Sequence, residues 1–358
     1  MAERRILVIG GGAIGSLLAV RLVAAGNDVT LAARAHAAEV IAARGLWLEE
    51  VDGQVTKVAV RATPSVAAAW KEGRSFDLIM LAVKAYHTAE AAAELRAAQR
   101  GPTPVLTVQN GVGNEEALAR ALPGSEILAG VLTTPVEVQE PGRVKISRAS
   151  FKFAVAPGPG CAGVDAAAEM MTQAGFRTQV FTEYRALKWS KLLMNILANA
   201  QAAILGYTPA QIFARPDLGN LEIEAWREAV RVMRGLGVEP VALAGYPLPL
   251  AAFLARRFPV GAVRPIFRRF IVGGRGDKMP SLYYDAHPAP RGRSEIRWLN
   301  GAVAAHGREL GVPTPVNSVF ATVLQEIVEG KRAPEEWRAR PQRLLEAIAK
   351  AQRSLTKD

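Results

Sequence analysis

The chain has 358 residues, 50% of them hydrophobic, which is enough for two domains with separate cores, since single domains typically run to ~100–200 residues. Its formal net charge is +11, but the basic residues are spread along the chain without a zinc-finger, homeodomain or RNP-like pattern. The single cysteine, Cys161, cannot form an internal disulfide, and the four histidines lack the spacing of a zinc site. We therefore expect no metal and no nucleic-acid partner, and attribute the charge to small anionic ligands.

An apolar run from Ile6 to Val20 follows two arginines, an order that superficially resembles a secretion signal. Glycines at four positions would interrupt a signal helix, and the run is shorter than the ~20 apolar residues of a membrane span. We therefore expect a cytoplasmic protein with no membrane partner.

The chain opens with the pattern of a strand, a glycine-rich turn and a helix. The β-branched run Arg4–Ile9 leads into G-G-G-A-I-G at positions 10–15, and a helical pattern extends from Ser16 to Ala25. This order predicts a strand and a helix joined at a phosphate-binding turn.

Each glycine of the G-x-G-x-x-G pattern would have its own role in a dinucleotide site. Gly10 would permit the tight turn, Gly12 the close approach of a pyrophosphate, and Gly15 the packing of the helix on the strand. The helix N-terminus would offer N–H groups to the phosphates, so Ala13 and Ile14 complete the candidate site. The βα context favours dinucleotide binding over an ordinary glycine turn.

The second strand, Asp28–Ala32, indicates which dinucleotide binds. An NAD enzyme usually has a carboxylate after this strand, where it accepts a hydrogen bond from the ribose 2′-hydroxyl. This chain has Arg34 instead, and a guanidinium suits a 2′-phosphate. We therefore predict NADPH rather than NADH, the alternative being that Arg34 is a solvated surface residue.

Two further apolar runs, Asp77–Val83 and Val105–Val108, are typical of strands buried in a parallel sheet. Lys84 follows the first run, and Asn110 follows the second in an Asn-Gly pair. The carboxyl ends of such strands face the ligand crevice, so we expect both side chains to meet the cofactor or the substrate. A surface lysine and a plain turn are the alternatives.

Shorter elements follow, which we expect to extend the sheet in an order that the sequence does not fix: strands at Val144–Ser147, Phe151–Ala156 and Arg177–Thr182, and a helix at Val164–Ala174. After Thr182 the pattern changes to long helices. We therefore predict an α/β fold, with a Rossmann-type doubly wound domain in residues 1–182 and an all-helical domain in residues 183–358.

Polar residues recur at every fourth position in the first segment of the second half. In a single helix over Leu187–Ala200, the side chains of Lys191, Asn195 and Asn199 would share one stripe, because four residues rotate the helix by only about 40°. A buried amide without a partner costs roughly 1–3 kcal/mol, so the stripe favours a polar ligand. A stripe that faces solvent or a neighbouring loop is the alternative.

Two later segments carry the remaining candidates. Pro280–Asp285 contains Ser281, and Arg293–Gly301 contains Glu295. Ser294 is predicted to be a helix N-cap, and Glu295 in the first turn would complement the helix dipole whether or not it also meets a ligand.

Taken in order, these motifs resemble the ketopantoate reductase (2-dehydropantoate 2-reductase) family. The likeness covers nearly the whole chain: G-G-G-A-I-G at the start, L-A-V-K at Lys84, Q-N-G-V-G at Asn110, K-L-L-M-N-I-L-A-N from Lys191 to Asn199, P-S-L-Y-Y-D at Ser281 and S-E-I-R-W-L-N-G at Glu295. Several motifs in this order are much more specific than any one. The resemblance implies a homodimer that reduces ketopantoate to pantoate with NADPH, on the way to pantothenate and coenzyme A.

By this resemblance, Lys191 would be the general acid and Glu295 would contact the hydroxyl end of the substrate. The remaining candidates would position the substrate (Asn110, Asn195, Asn199 and Ser281) or serve NADPH (Gly10, Gly12, Ala13, Ile14, Gly15, Arg34 and Lys84, with Asn110 at the border). Hydride transfer to a 2-oxo carbon leaves negative charge on the oxygen, and an ammonium supplies both a cation and a proton there.

Two segments depart from the family pattern. The region from about Pro240 to Lys278 is expanded and contains an arginine-aromatic run, which we expect to cover the helical core or to form a dimer contact. The stretch 286–294 is longer than usual. Both segments are candidates for bordering the substrate pocket, so a reductase of another branched 2-oxo acid is an alternative. A non-catalytic NADP-binding redox sensor is another, although a sensor needs no proton donor.

Overall fold

The computed structural model describes residues 3–71, 74–275 and 278–355. Over these residues, no helix is both long and apolar enough to cross a bilayer. Within the same ranges, no three histidine, cysteine or carboxylate side chains come together as a metal site would require.

The chain divides into two compact units. The first comprises Met1–Gln109 and Gly113–Leu187, and the second comprises Asn110–Val112 and Lys188–Asp358. The main division thus follows Leu187, and the short segment Asn110–Val112 belongs to the second unit although the first unit surrounds it in the sequence. The domain limits at residues 182 and 183 stay a prediction.

The first unit contains β1 (Arg5–Ile9), α1 (Ala13–Ala24), β2 (Asp28–Ala32), α2 (Ala35–Arg44), β3 (Leu46–Glu49), β4 (Val55–Val58), β5 (Arg61–Thr63), α3 (Val66–Ala69), β6 (Leu78–Leu81), α4 (Thr88–Ala98), β7 (Val105–Thr107), α5 (Asn114–Ala121), β8 (Ile127–Leu132), β9 (Val136–Glu140), β10 (Arg143–Ile146), β11 (Lys152–Pro157), α6 (Asp165–Gln173) and β12 (Arg177–Val180). A short 3-10 turn, Ala85–His87, lies between β6 and α4.

The main sheet has the strand order β12-β11-β8-β7-β6-β1-β2-β5. Its neighbours are parallel except for β8 and β11, which are antiparallel. Strand β6 is buried along its whole length, as its continuous apolar sequence predicts. The strand order changes direction between β1 and β6, and open α/β sheets bind their ligands at such a switch point. The Rossmann-type fold class is therefore confirmed.

The prediction that the strand near Val144 extends this sheet is wrong. Strand β10 belongs to a second sheet with the order β4-β3-β10-β9. Val144 and Ile146 are buried while Lys145 between them is exposed, so only one face of β10 is covered, and the sheet packs against α1. A strand with this alternation does not suit the interior of a sheet covered on both faces. Strands β11 and β12 do extend the main sheet.

The second unit is helical. After α7 (Tyr184–Ile196), its helices are α8 (Ala200–Leu205), α9 (Pro209–Ala214), α10 (Pro216–Gly235), α11 (Leu248–Arg257), α12 (Val260–Arg275), α13 (Tyr283–Ala286), α14 (Asn300–Glu309), α15 (Pro315–Val328) and α16 (Pro341–Ser354). Helix α10 forms its centre, since α9, α11, α12, α14 and α15 all pack against it.

The expanded region forms α11 and α12, which lie on α10. The Phe267 and Trp226 rings meet edge to face with centroids 5.1 Å apart, and Arg227 Nε donates to Ala255 O at 2.6 Å. As expected, this region covers part of the helical core, while Phe253 on its outer face remains exposed.

Helix α10 also carries Glu228, a buried carboxylate that faces the first turn of α15. Its two oxygens accept hydrogen bonds from the backbone N–H of Val316 and Asn317, both at 2.9 Å, and from Asn317 Nδ2 at 2.7 Å. Burial nevertheless raises the pKa of Glu228 to about 7, because it disfavours the charged form more than these donors favour it. A raised pKa means that protonation favours the folded chain.

We expect the stability of the protein to depend on pH through Glu228. The stabilisation from its proton is complete below the ordinary pKa of about 4.5 and is lost as pH rises to about 7. Because glutamine does not titrate, the gap in Tm between the wild type and Glu228→Gln should change between pH 5 and pH 8, with the wild type losing ground as pH rises. Circular dichroism melts measure it. A constant gap for Glu228→Gln would refute the linkage.

Candidate active site

Of the three glycines that form the G-x-G-x-x-G pattern after β1, two are closely packed and one is open. Gly10 has a φ of 117°, and a Cβ there would lie 2.9 Å from Val83 N. A Cβ on Gly15 would overlap Gly10 O. At Gly12, by contrast, an added Cβ would meet no atom within 4 Å. The turn is therefore fixed against the end of β6 and leaves accessible backbone at Gly12, as a pyrophosphate requires.

The start of α1 supplies N–H donors beside that open position. Gly12 is the N-cap of α1, and the first bond within the helix runs from Ser16 N to Gly12 O at 2.9 Å. The N–H groups of Ala13 and Ile14 precede this bond, so no carbonyl one turn earlier in the helix accepts from them. These donors and the positive end of the helix dipole suit a phosphate.

Arg34 and Lys84 occupy corresponding positions in the first unit. Arg34 follows β2 and is the N-cap of α2, and Lys84 precedes the 3-10 turn that begins after β6. Both side chains are exposed. The guanidinium of Arg34 and the ammonium of Lys84 are therefore exposed near the carboxyl end of the sheet, which is where open α/β sheets bind ligands.

In the second unit, the predicted substrate-positioning residues form one polar chain. Asn195 Nδ2 donates to Asn110 Oδ1 at 3.1 Å. Asn199 Nδ2 donates to Asn195 O at 3.0 Å and lies 3.5 Å from Ser281 Oγ. Asn199 Oδ1 accepts from Leu282 N at 3.0 Å, which fixes the segment that carries Ser281. Residues far apart in the sequence thus meet here, and we name Asn110, Asn195, Asn199 and Ser281 the amide chain.

The single helix predicted over 187–200 is wrong in its last part. Helix α7 ends at Ile196, and Asn199 is the N-cap of α8. Between them, Ala198 has a φ of 51°, and its N–H donates to Glu222 Oε2 on α10 at 2.7 Å. Glu222 therefore helps to end the helix, and Asn199 reaches the Ser281 segment from a turn rather than from a helical stripe.

Glu222 was missed as a site-supporting residue, although the sequence contains a signal for it. It is 1% exposed and lies four residues after Leu218 on the apolar face of α10. Carboxylates are rarely buried without hydrogen-bond donors, so an acid on a buried face indicates a specific partner.

Lys191 lies on α7, one turn before Asn195, and is partly buried. The sequence did not lead us to expect that Lys188, one turn earlier in α7, is buried, with 2% of the residue exposed. Lys191 thus lies on the same face of α7 as Asn195 of the amide chain.

Glu295 begins a 3-10 turn, Glu295–Trp298, and is buried. Ser294 is its N-cap, as predicted, and accepts from Ile296 N at 3.2 Å. At the other end of the turn, Trp298 O accepts from Val112 N at 3.2 Å. The Asn110–Val112 segment is therefore bonded to Asn195 on one side and to the turn that starts with Glu295 on the other.

Gly111 allows the close contact within this segment. Its φ is 84°, and a Cβ there would lie 2.5 Å from both Cβ and O of Trp298.

We expect Gly111→Ala to lower Tm and to reduce kcat several-fold by displacing Asn110, since an alanine in the left-handed backbone conformation alone costs on the order of 1–3 kcal/mol. Gly113→Ala is a matched control: its φ is 94° but a Cβ meets nothing within 4 Å. Equal effects of both substitutions on kcat would contradict the role of the Trp298 contact.

Two family models match most of the chain. The family model described as ketopantoate reductase PanE/ApbA matches residues 6–159, and the model of its C-terminal domain matches residues 183–328. The chain belongs to the ketopantoate reductase family. It is thus an oxidoreductase by family, and its family works with a nicotinamide cofactor.

Individual relatives cover nearly the whole chain. A 2-dehydropantoate 2-reductase of Mesorhizobium japonicum is 30% identical and covers 91% of this chain and 98% of its own. The crystal structure of a PanE/ApbA family ketopantoate reductase from Ralstonia eutropha is 26% identical, with a TM-score of 0.76, and covers 91% and 99%. A D-mandelate dehydrogenase solved with NADH and anilino(oxo)acetate has the same TM-score at 21% identity, covering 91% and 98%. That last likeness concerns the fold alone.

Proposed function

We propose that this ketopantoate reductase family member reduces ketopantoate to pantoate with NADPH, as a homodimer. The observation that carries the proposal is the amide chain, in which Asn195 follows Lys191 by one turn of α7. Amides and a hydroxyl suit the carboxylate and hydroxyl oxygens of a 2-oxo acid. An ammonium suits the carbonyl oxygen, which gains negative charge as the carbon is reduced.

The glycine turn fits the proposed cofactor, because its backbone is open at Gly12 and the N–H groups at the start of α1 are directed to the same place. When bound, a reduced nicotinamide supplies the hydride. Arg34 would bind the 2′-phosphate that distinguishes NADPH from NADH, and Lys84 would bind a further phosphate or ribose oxygen.

Each polar residue of the second unit has a proposed task. Lys191 Nζ gives its proton to the carbonyl oxygen, which forms the product hydroxyl. Asn110 and Asn195 hold each other's amides in place at one end of the amide chain, and Asn199 holds the Ser281 segment at the other. Glu295, buried in its 3-10 turn, contacts the hydroxyl end of ketopantoate.

The substrate is tested by following NADPH oxidation with ketopantoate, with a branched 2-oxo acid that lacks its terminal hydroxyl, and with an aromatic 2-oxo acid. We expect kcat/KM to be at least about tenfold higher for ketopantoate, since a site built to bond a hydroxyl rejects analogues without it. A higher kcat/KM for another acid would contradict the proposal that ketopantoate is the substrate. NADPH binding without oxidation by any of them would favour a redox sensor. The proposed homodimer is tested by light scattering, which should give a molar mass in solution twice that of one chain.

A further inference from the structure

A buried amide, Gln109, bonds to the backbone from which Lys84 extends. Gln109 follows β7 and is 4% exposed. Its Nε2 donates to Val83 O at 3.0 Å and to Thr88 Oγ1 at 2.9 Å, and its Oε1 accepts from Thr107 Oγ1 at 3.0 Å. Both hydrogens and the oxygen of the amide are therefore used within the first unit, which fixes the side chain in one orientation.

Thr88 extends these bonds to two helix starts. It is the first residue of α4 and is 4% exposed. Its hydroxyl oxygen lies 2.8 Å from Ala85 O and 3.1 Å from Asn114 Oδ1, and Asn114 begins α5. Three side chains, Gln109, Thr88 and Asn114, thus join the end of β7, the 3-10 turn after Lys84 and the start of α5.

Val83 connects this network to the glycine turn. Its carbonyl, which Gln109 bonds, belongs to the peptide that leads directly into Lys84. Its nitrogen is the atom that would lie 2.9 Å from a Cβ on Gly10. Val83 therefore lies close beside the glycine turn at its nitrogen and is bonded to Gln109 at its carbonyl, so a shift of Val83 would disturb both proposed phosphate contacts.

We infer that Gln109 is a positioning residue for cofactor binding, acting through the backbone at Lys84. This inference rests on the proposed function, in which Lys84 binds NADPH. Lys84 has a long, exposed side chain, and fixing its backbone limits the conformations from which it reaches a phosphate. The hydrogen bonds of Gln109 thus reduce the conformational entropy that Lys84 loses when it binds a phosphate, and with it the free-energy cost of binding.

Three substitutions test the network. Gln109→Met keeps the volume and removes every hydrogen bond of the amide, and Thr88→Val removes the hydroxyl that accepts from Gln109. Thr88→Ser keeps that hydroxyl and is the conservative control. We expect the first two to raise the Kd for NADPH about tenfold in a fluorescence titration, with kcat at saturating NADPH within about twofold of wild type. Thr88→Ser should bind as the wild type does. Unchanged NADPH affinity in both Gln109→Met and Thr88→Val would overturn the inference.

A double-mutant cycle with Lys84→Ala separates positioning from a general structural role. If Gln109 acts through Lys84, adding Gln109→Met or Thr88→Val to Lys84→Ala should change the NADPH Kd by less than about twofold, because the coupled contact is already lost. Additive effects would show that Gln109 supports the fold only, and would leave the proposed role of Lys84 intact. No effect of Lys84→Ala itself would instead refute that role of Lys84, and the inference with it.

Discussion

Replacing Lys191 by methionine should lower kcat by about 10²- to 10⁴-fold, the range that general acid catalysis contributes in enzymes. Methionine keeps most of the apolar stem of this partly buried side chain and removes only the ammonium. The cation and the proton would both be lost where the carbonyl oxygen gains charge. Steady-state NADPH oxidation with ketopantoate measures the effect.

The loss should be confined to the chemical step. NADPH affinity and Tm of Lys191→Met should match those of the wild type, since the proposed cofactor contacts lie in the first unit. Lys331→Met, which removes an ammonium that is 67% exposed, should retain full kcat. Turnover of Lys191→Met within about tenfold of wild type would exclude this residue as the general acid.

The second large effect concerns the choice of cofactor. Arg34→Ala should lower kcat/KM for NADPH by about 10- to 100-fold, which corresponds to the loss of a charge-assisted hydrogen bond to phosphate. The value for NADH should change little, because NADH has no 2′-phosphate. The ratio of the two values, measured with one 2-oxo acid, gives the result directly.

Arg44→Ala is the matched control for Arg34, because both arginines are exposed and flank the same helix, α2. Arg44 stands at its C-terminal end, so its removal should leave the NADPH to NADH ratio unchanged. A similar drop in both arginine variants would indicate a nonspecific effect of net charge. An unchanged ratio in Arg34→Ala would contradict the prediction of NADPH specificity.

Much of the main sheet could be predicted because its strands are continuous apolar runs. Strand β2 was predicted with the bounds that the structure has, Asp28–Ala32. The second sheet was not foreseen, since its strands are short and its two hairpins, β3-β4 and β9-β10, pair across a long stretch of sequence, as Val144 does with Leu48. Only a global arrangement determines such pairing, and local patterns do not encode it.

The site divides in the same way. The glycine turn and the Ser294 cap follow from local backbone requirements, and the sequence shows them directly. The break before Asn199 depends on Glu222 from another helix, which overrides a good helical pattern. The bond between Asn110 and Asn195 likewise joins segments 85 positions apart. Long-range partners of this kind cannot be inferred from the periodicity of one segment.

The assignment of Asn110–Val112 to the helical unit has a consequence for anyone who wishes to dissect this protein. The polypeptide passes from one unit to the other after Gln109, returns after Val112 and passes over again after Leu187. A gene fragment that starts near the third passage would lack the tripeptide that packs on Trp298 and pairs with Asn195. Such a fragment would lose the hydrogen bonds that Asn195 Nδ2 and Trp298 O make with this tripeptide, so the two halves are better produced as one translation product.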